Sequence, residues 1–201
     1  MLGLKSDSTD AWLQACLDDM DAVLCDHALC EQKAAITALS LVTRYPDDPY
    51  LVEKMGELAE EESDHLKRVA ALCHRRGLTL EHPQQDRYVK ALRKLTRDGE
   101  VDFRVDLLLV CSLVEARSCE RIKRIADALT DDDEVKDLYD ELWRTEAGHH
   151  TLFVELAERS YVRRAGLTEG EARKRVRDRL DEMTTLEADI VVQMEPRASL
   201  H

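Results

Sequence analysis

The chain has 201 residues, enough to bury the core of one ordinary domain, and its 7 Gly, 4 Pro, 2 Phe and 2 Trp beside abundant Ala, Leu, Glu and Arg point away from β-rich architectures and toward helix. A formal net charge of −13 excludes uniform attraction to nucleic acid and leaves that role to local basic patches. No stretch approaches the roughly 18 consecutive apolar residues of a membrane span.

In chain order, a short helix follows a Ser8/Thr9 cap (DAWLQACL), and a long one runs from about Asp19 to Arg44, stopped by Tyr45-Pro46. Asp48-Pro49 restarts the chain as cap and first-turn proline, and helical periodicity continues to Arg76, before Gly77 ends it. These two helices form an antiparallel hairpin. Residues 77–86 are expected as a loop, Arg87 to Arg97 as a short helix and Asp98-Gly99 as a break. A second hairpin follows, with one helix from about Val101 to Leu129, a turn at TDDD, and another helix to about Tyr161. Gly166 and a Thr168 cap open a last helix to about Met194. No run of alternating β-branched residues predicts a sheet. The expected fold is all-α and a single domain over 1–201. Its core, about 18–161, is a four-helix bundle of two antiparallel hairpins joined by a long crossover that holds a small helix. Short N-terminal and C-terminal (about 168–194) helices are added. The N-terminal MLGLKSDSTD lacks the basic and apolar regions of a signal peptide, and Cys16, Cys25, Cys30, Cys73, Cys111 and Cys119 form no C-x-x-C pair. They read as reduced thiols of a cytoplasmic protein with no membrane association.

The chemistry-bearing residues form a repeat. Glu146 and His149, in TEAGHH, are spaced i, i+3 and share a helix face, whereas His150 points about 100° away. Glu62 and His65 make the same pair on the second long helix. Glu62 to Glu146, His65 to His149 and Glu31 to Glu115 are each separated by 84 residues. Within each hairpin the lone Glu precedes its E-x-x-H by 31 residues, and the midpoints fall at Pro46-Asp47 and Thr130-Asp131, the two predicted turns. Antiparallel helices rise equally per residue, so the six side chains are expected at one height. Four carboxylates and two imidazoles in an apolar bundle are prohibitively costly as free charges. Two divalent irons, or alternatively manganeses, balance them and suit mixed oxygen and imidazole ligation. This donor inventory is that of the ferritin-like di-metal carboxylate proteins. Glu31 and Glu115 are read as terminal ligands, Glu62 and Glu146 as bridging, and His65 and His149 as binding one metal each. His27, four residues before Glu31, is read as a hydrogen-bond donor to that carboxylate. Cys111 and Cys119, at i−4 and i+4 of Glu115, are read as buried thiols lining the site. Glu120 breaks the repeat and lies off the face of Glu115. Gly148 raises the question of close packing beside a ligand.

Several strings resemble the MiaE type of tRNA hydroxylase: DHALCEQKAAITALSLVTRYP at 26–46, EEESDH at 60–65, VEARSCERIKRIA at 114–126 and LWRTEAGHHTLFVELA at 142–157. The resemblance spans about residues 10–192 and carries the same six ligands. It implies a di-iron centre that uses dioxygen to hydroxylate the isopentenyl group of (2-methylthio)-N6-isopentenyladenosine beside the anticodon of tRNA. No flavin, nicotinamide or iron–sulfur motif is visible, so a separate reductase or ferredoxin is expected to supply electrons. Two basic runs are candidates for tRNA phosphates. One is Lys90, Arg93, Lys94 and Arg97 on one predicted helical stripe; the other lies at 161–180 and includes Arg163 and Arg164. Two other readings share parts of this pattern: an iron-oxidising ferritin relative, which needs a cage-forming surface, and a non-enzymatic helical interaction module, which predicts no stoichiometric metal.

Overall fold

The computed structural model describes residues 2–80 and 86–201. It contains seven α-helices and no strand among those residues: α1 (Asp10–Asp18), α2 (Met20–Arg44), α3 (Pro49–Arg75), α4 (Arg87–Arg93), α5 (Glu100–Ala128), α6 (Asp133–Ala165) and α7 (Glu169–Gln193). Part of the expected 77–86 loop, residues 81–85, lies outside the described residues. The described chain groups into two compact units, one of residues 14–80 and 197–200, the other of residues 2–13, 86–196 and His201.

In the first unit α2 packs against α3. The Asp19 side chain accepts from the Ala22 amide at 3.0 Å and starts α2, and Asp48 accepts from Leu51 at 3.3 Å and starts α3 with Pro49 in its first turn. The buried residues of α3 are spaced alternately by four and three: Leu51, Met55, Leu58, Glu62, His65, Val69 and Leu72. That is the period of a packed helix seam. Its two polar members are the E-x-x-H pair.

The second unit is built around α5, which is buried nearly all round and is packed by α4, α6 and α7. The α6 seam runs Val135, Tyr139, Leu142, Glu146, His149, Phe153 and Leu156. Each position is its α3 counterpart plus 84. The buried positions of α2 and α5 obey the same offset, Leu24 to Leu108, Ala28 to Ser112, Glu31 to Glu115, Ala35 to Cys119 and Ala38 to Ilе122. The repeat therefore extends beyond the ligands to the packing that holds them.

The structure corrects three sequence-level expectations. The helix expected over 87–97 stops at Arg93, because the chain turns so that the Arg97 amide and guanidinium both donate to buried Asp106, at 2.7–2.9 Å. Arg179 on α7 grips the same carboxylate and the Leu95 carbonyl. Arg97 is thus off the helical stripe and tied up internally. Further along, α6 continues past Tyr161 to Ala165, where Gly166 at φ 68° closes it and donates its amide to the Tyr161 carbonyl. Close packing is not the reason for Gly148: the residue is exposed, and a Cβ built on it meets no heavy atom within 4 Å. Gly148→Ala is accordingly expected to stabilise the chain by about 0.4–1 kcal/mol, read as a higher denaturation midpoint at unchanged slope.

Candidate metal centre

Each unit carries one triad of donors at the middle of its helix pair. In the first unit Glu31, Glu62 and His65 are 5%, 0% and 5% exposed, and one donor atom from each lies within 4.8 Å of the others. His65 Nδ1 stands 3.5 Å from Glu62 Oε2 and 3.7 Å from Glu31 Oε2. These separations exceed ordinary hydrogen-bond lengths, yet they suit donors sharing one divalent cation at about 2.0–2.2 Å. The second unit repeats the arrangement with Glu115, Glu146 and His149, all buried, again with donor atoms within 4.8 Å and with His149 Nδ1 3.6 Å from Glu146 Oε2. Carboxylates and imidazoles converging inside apolar seams fit a metal ion by donor chemistry and by spacing.

The residues behind the triads differ. His27 Nε2 lies 2.5 Å from Glu31 Oε1. Burial pushes the Glu31 carboxyl up, but the charge and hydrogen bond of His27, with a lesser contribution from nearby His65, hold it well below the usual carboxylate range. The residue equivalent to His27 in the repeat is Cys111. Burial and the nearby Glu115 push the Cys111 thiol up to about 12 against the lowering charge of Arg93, and burial with Glu146 does the same for Cys119. Both are therefore neutral S–H groups; Cys119 points its thiol at the Trp143 carbonyl, 3.1 Å away. Among the described residues no disulfide joins any of the six cysteines.

The two remaining residues of interest have structural partners. His150 is buried, and its Nδ1 lies 2.8 Å from Ser112 Oγ and 3.0 Å from the Ser112 carbonyl, so it couples α6 to α5. Glu120 accepts from the Ser8 amide and hydroxyl at 2.9 and 2.7 Å and from Arg117 Nη1 at 2.9 Å. Arg117, fully buried, forks onto Glu187 at 2.9 and 3.0 Å. Sequence reasoning missed this network, although EARSCER places Arg117 and Glu120 three residues apart, the spacing of a helical ion pair.

Comparison with known proteins places the chain in a family. A family model described as tRNA-(MS2IO6A)-hydroxylase (MiaE) matches residues 2–201. A tRNA 2-(methylsulfanyl)-N(6)-isopentenyladenosine(37) hydroxylase from Pseudomonas putida is 41% identical over 148 residues, 74% of this chain and 71% of that protein. A protein of the same name from Salmonella typhimurium is 27% identical over 77% of this chain and 75% of its own length. Among solved structures, Protein 43 with aldehyde deformylating oxygenase activity from Synechococcus is similar with a TM-score of 0.86 and 31% identity, over 98% of this chain and 94% of that one. The all-helical, ferritin-like fold expected from the sequence is therefore the fold of the chain. With two buried carboxylate and histidine triads on that fold and a family match along nearly its whole length, the chain belongs to the MiaE family of tRNA hydroxylases.

Proposed function

We propose that the two triads act together as one di-iron centre, and that the chain uses dioxygen to hydroxylate the isopentenyl group of (2-methylthio)-N6-isopentenyladenosine beside the anticodon of tRNA. The observation that carries this reading is the 84-residue repeat of donors and packing in a chain of the MiaE family. In it Glu31 and Glu115 would serve as terminal ligands, Glu62 and Glu146 would be shared, and His65 and His149 would each hold one metal. Four carboxylates against two divalent ions leave no net charge, which offsets the desolvation penalty of burial. Manganese fits the same donors. The site, the two units and α4 to α7 are read as one working domain in the cytoplasm.

When bound, a reduced iron pair supplies dioxygen activation. One oxygen atom enters the carbon–hydrogen bond and the other leaves as water, which takes two electrons and two protons. A separate reductase or ferredoxin is the proposed donor. The chain's own groups fix the donors. His27 orients Glu31, the protonated Cys111 and Cys119 line the site without adding negative charge, and His150 anchors the α6 turn that carries Glu146 and His149.

Two outcomes are expected. His27→Ala lowers iron affinity about 10–100-fold, whereas Cys111→Ala shifts it far less; an anaerobic titration giving the wild-type affinity for His27→Ala would contradict the assigned role. In the second, the iron-loaded chain is given a reductant, labelled dioxygen and tRNA carrying the isopentenyl nucleoside. The digested tRNA should contain a nucleoside with one labelled oxygen on the prenyl group. Unchanged nucleoside, from protein holding its full iron, rejects the reaction.

A further inference from the structure

The short helix α4 has two faces. Tyr88 and Leu92 are fully buried, whereas Arg87, Lys90, Arg93 and Lys94 are exposed, and the sequence from 87 to 97 contains no acid. Its place on α5 is set by Tyr88, whose hydroxyl donates to Glu187 at 2.9 Å and lies 3.5 Å from the Leu113 carbonyl. Leu113 is two residues from Glu115, so α4 crosses α5 at the level of the second unit's triad. A cationic ridge thus borders the candidate metal centre.

The other basic run is largely spent on acids. Arg164 pairs with Glu100 at 3.3 Å, Lys174 with Asp178 at 2.6 Å, Arg175 with Asp102 at 3.5 Å and Arg173 with Glu158 at 3.7 Å. Arg179 is buried on Asp106. Of the cations singled out in the sequence, Arg97 and Arg164 are therefore ion-paired, and Arg163 is exposed in a neighbourhood of compensated charge.

We propose that the outer face of α4, through Lys90, Arg93 and Lys94, grips the phosphate backbone of the tRNA anticodon arm next to the metal centre. This rests on the reading of the chain as a tRNA hydroxylase. Charge complementarity names the occupant. On a chain of net charge −13, four exposed cations with no acid in the sequence from 87 to 97 make a local site for a polyanion, and its position beside Glu115 matches a substrate whose reacting group must reach the iron.

The test measures affinity for an anticodon stem-loop RNA against salt, for the wild-type chain and for two triple variants, K90A/R93A/K94A on α4 and R173A/K174A/R177A on α7. The substituted α4 positions are solvent-facing, and K90Q/R93Q/K94Q serves as a second variant; iron content and melting temperature check that each variant is folded. The ridge proposal expects the α4 variants to lose roughly ten-fold or more in affinity and to flatten the log–log salt slope by about 2 to 3, with the α7 variant close to wild type. An unchanged slope overturns it, as does an equal loss in both triple variants. Unchanged RNA binding with slowed reduction by the electron donor overturns it in favour of an acidic protein partner. If the wild-type chain itself binds no RNA, the hydroxylase reading fails, and that result is separate from failure of the ridge.

Discussion

Burying a carboxylate in a helix seam is the constraint from which the rest of this structure follows. A seam position normally takes Leu, Ile or Val, because each apolar side chain buried there contributes about 1.5–3 kcal/mol, while an uncompensated buried charge costs several. This chain places Glu31, Glu62, Glu115 and Glu146 in such positions, with two histidines beside them, between ordinary hydrophobic residues. The arrangement is stable only if something of opposite charge shares the space. Within each hairpin the helices are kept in register so that its donors meet, and the caps at Asp19, Asp48 and Asp132 fix where α2, α3 and α6 begin.

The duplication makes the two hairpins comparable position by position, and one difference beside the triads is informative. Where the first unit puts His27 against Glu31, the second puts Cys111 near Glu115. A hydrogen-bonded carboxylate is held in one orientation, ready to bind a metal. The two triads are thus alike in donor residues and unlike in what stands behind them.

Much of this was legible before any coordinates. Turn residues and caps located all seven helices, and the 84-residue spacing picked Glu115 over Glu120 and His149 over His150; the structure gives both rejected residues other partners, Ser8 with Arg117 for Glu120 and Ser112 for His150. What escaped were tertiary effects. The end of α4 at Arg93 depends on Asp106, nine residues beyond Arg97 and on another helix, and local propensity carries no sign of it. The Arg97 charge looked available because a basic run shows its cations and hides their partners. Gly148 drew attention by its neighbour, although its own position is open to solvent. Pattern reasoning did well where one periodicity governs many residues, and poorly where one distant contact decides.

The account's central claim is that the triads form a single centre holding two metal ions, and Mössbauer spectroscopy of the chain loaded with labelled iron tests it most directly. The account predicts two irons per chain which, once oxidised, are magnetically coupled to a diamagnetic ground state through shared carboxylate ligands. One iron per chain, or two that remain uncoupled high-spin ions, would contradict it.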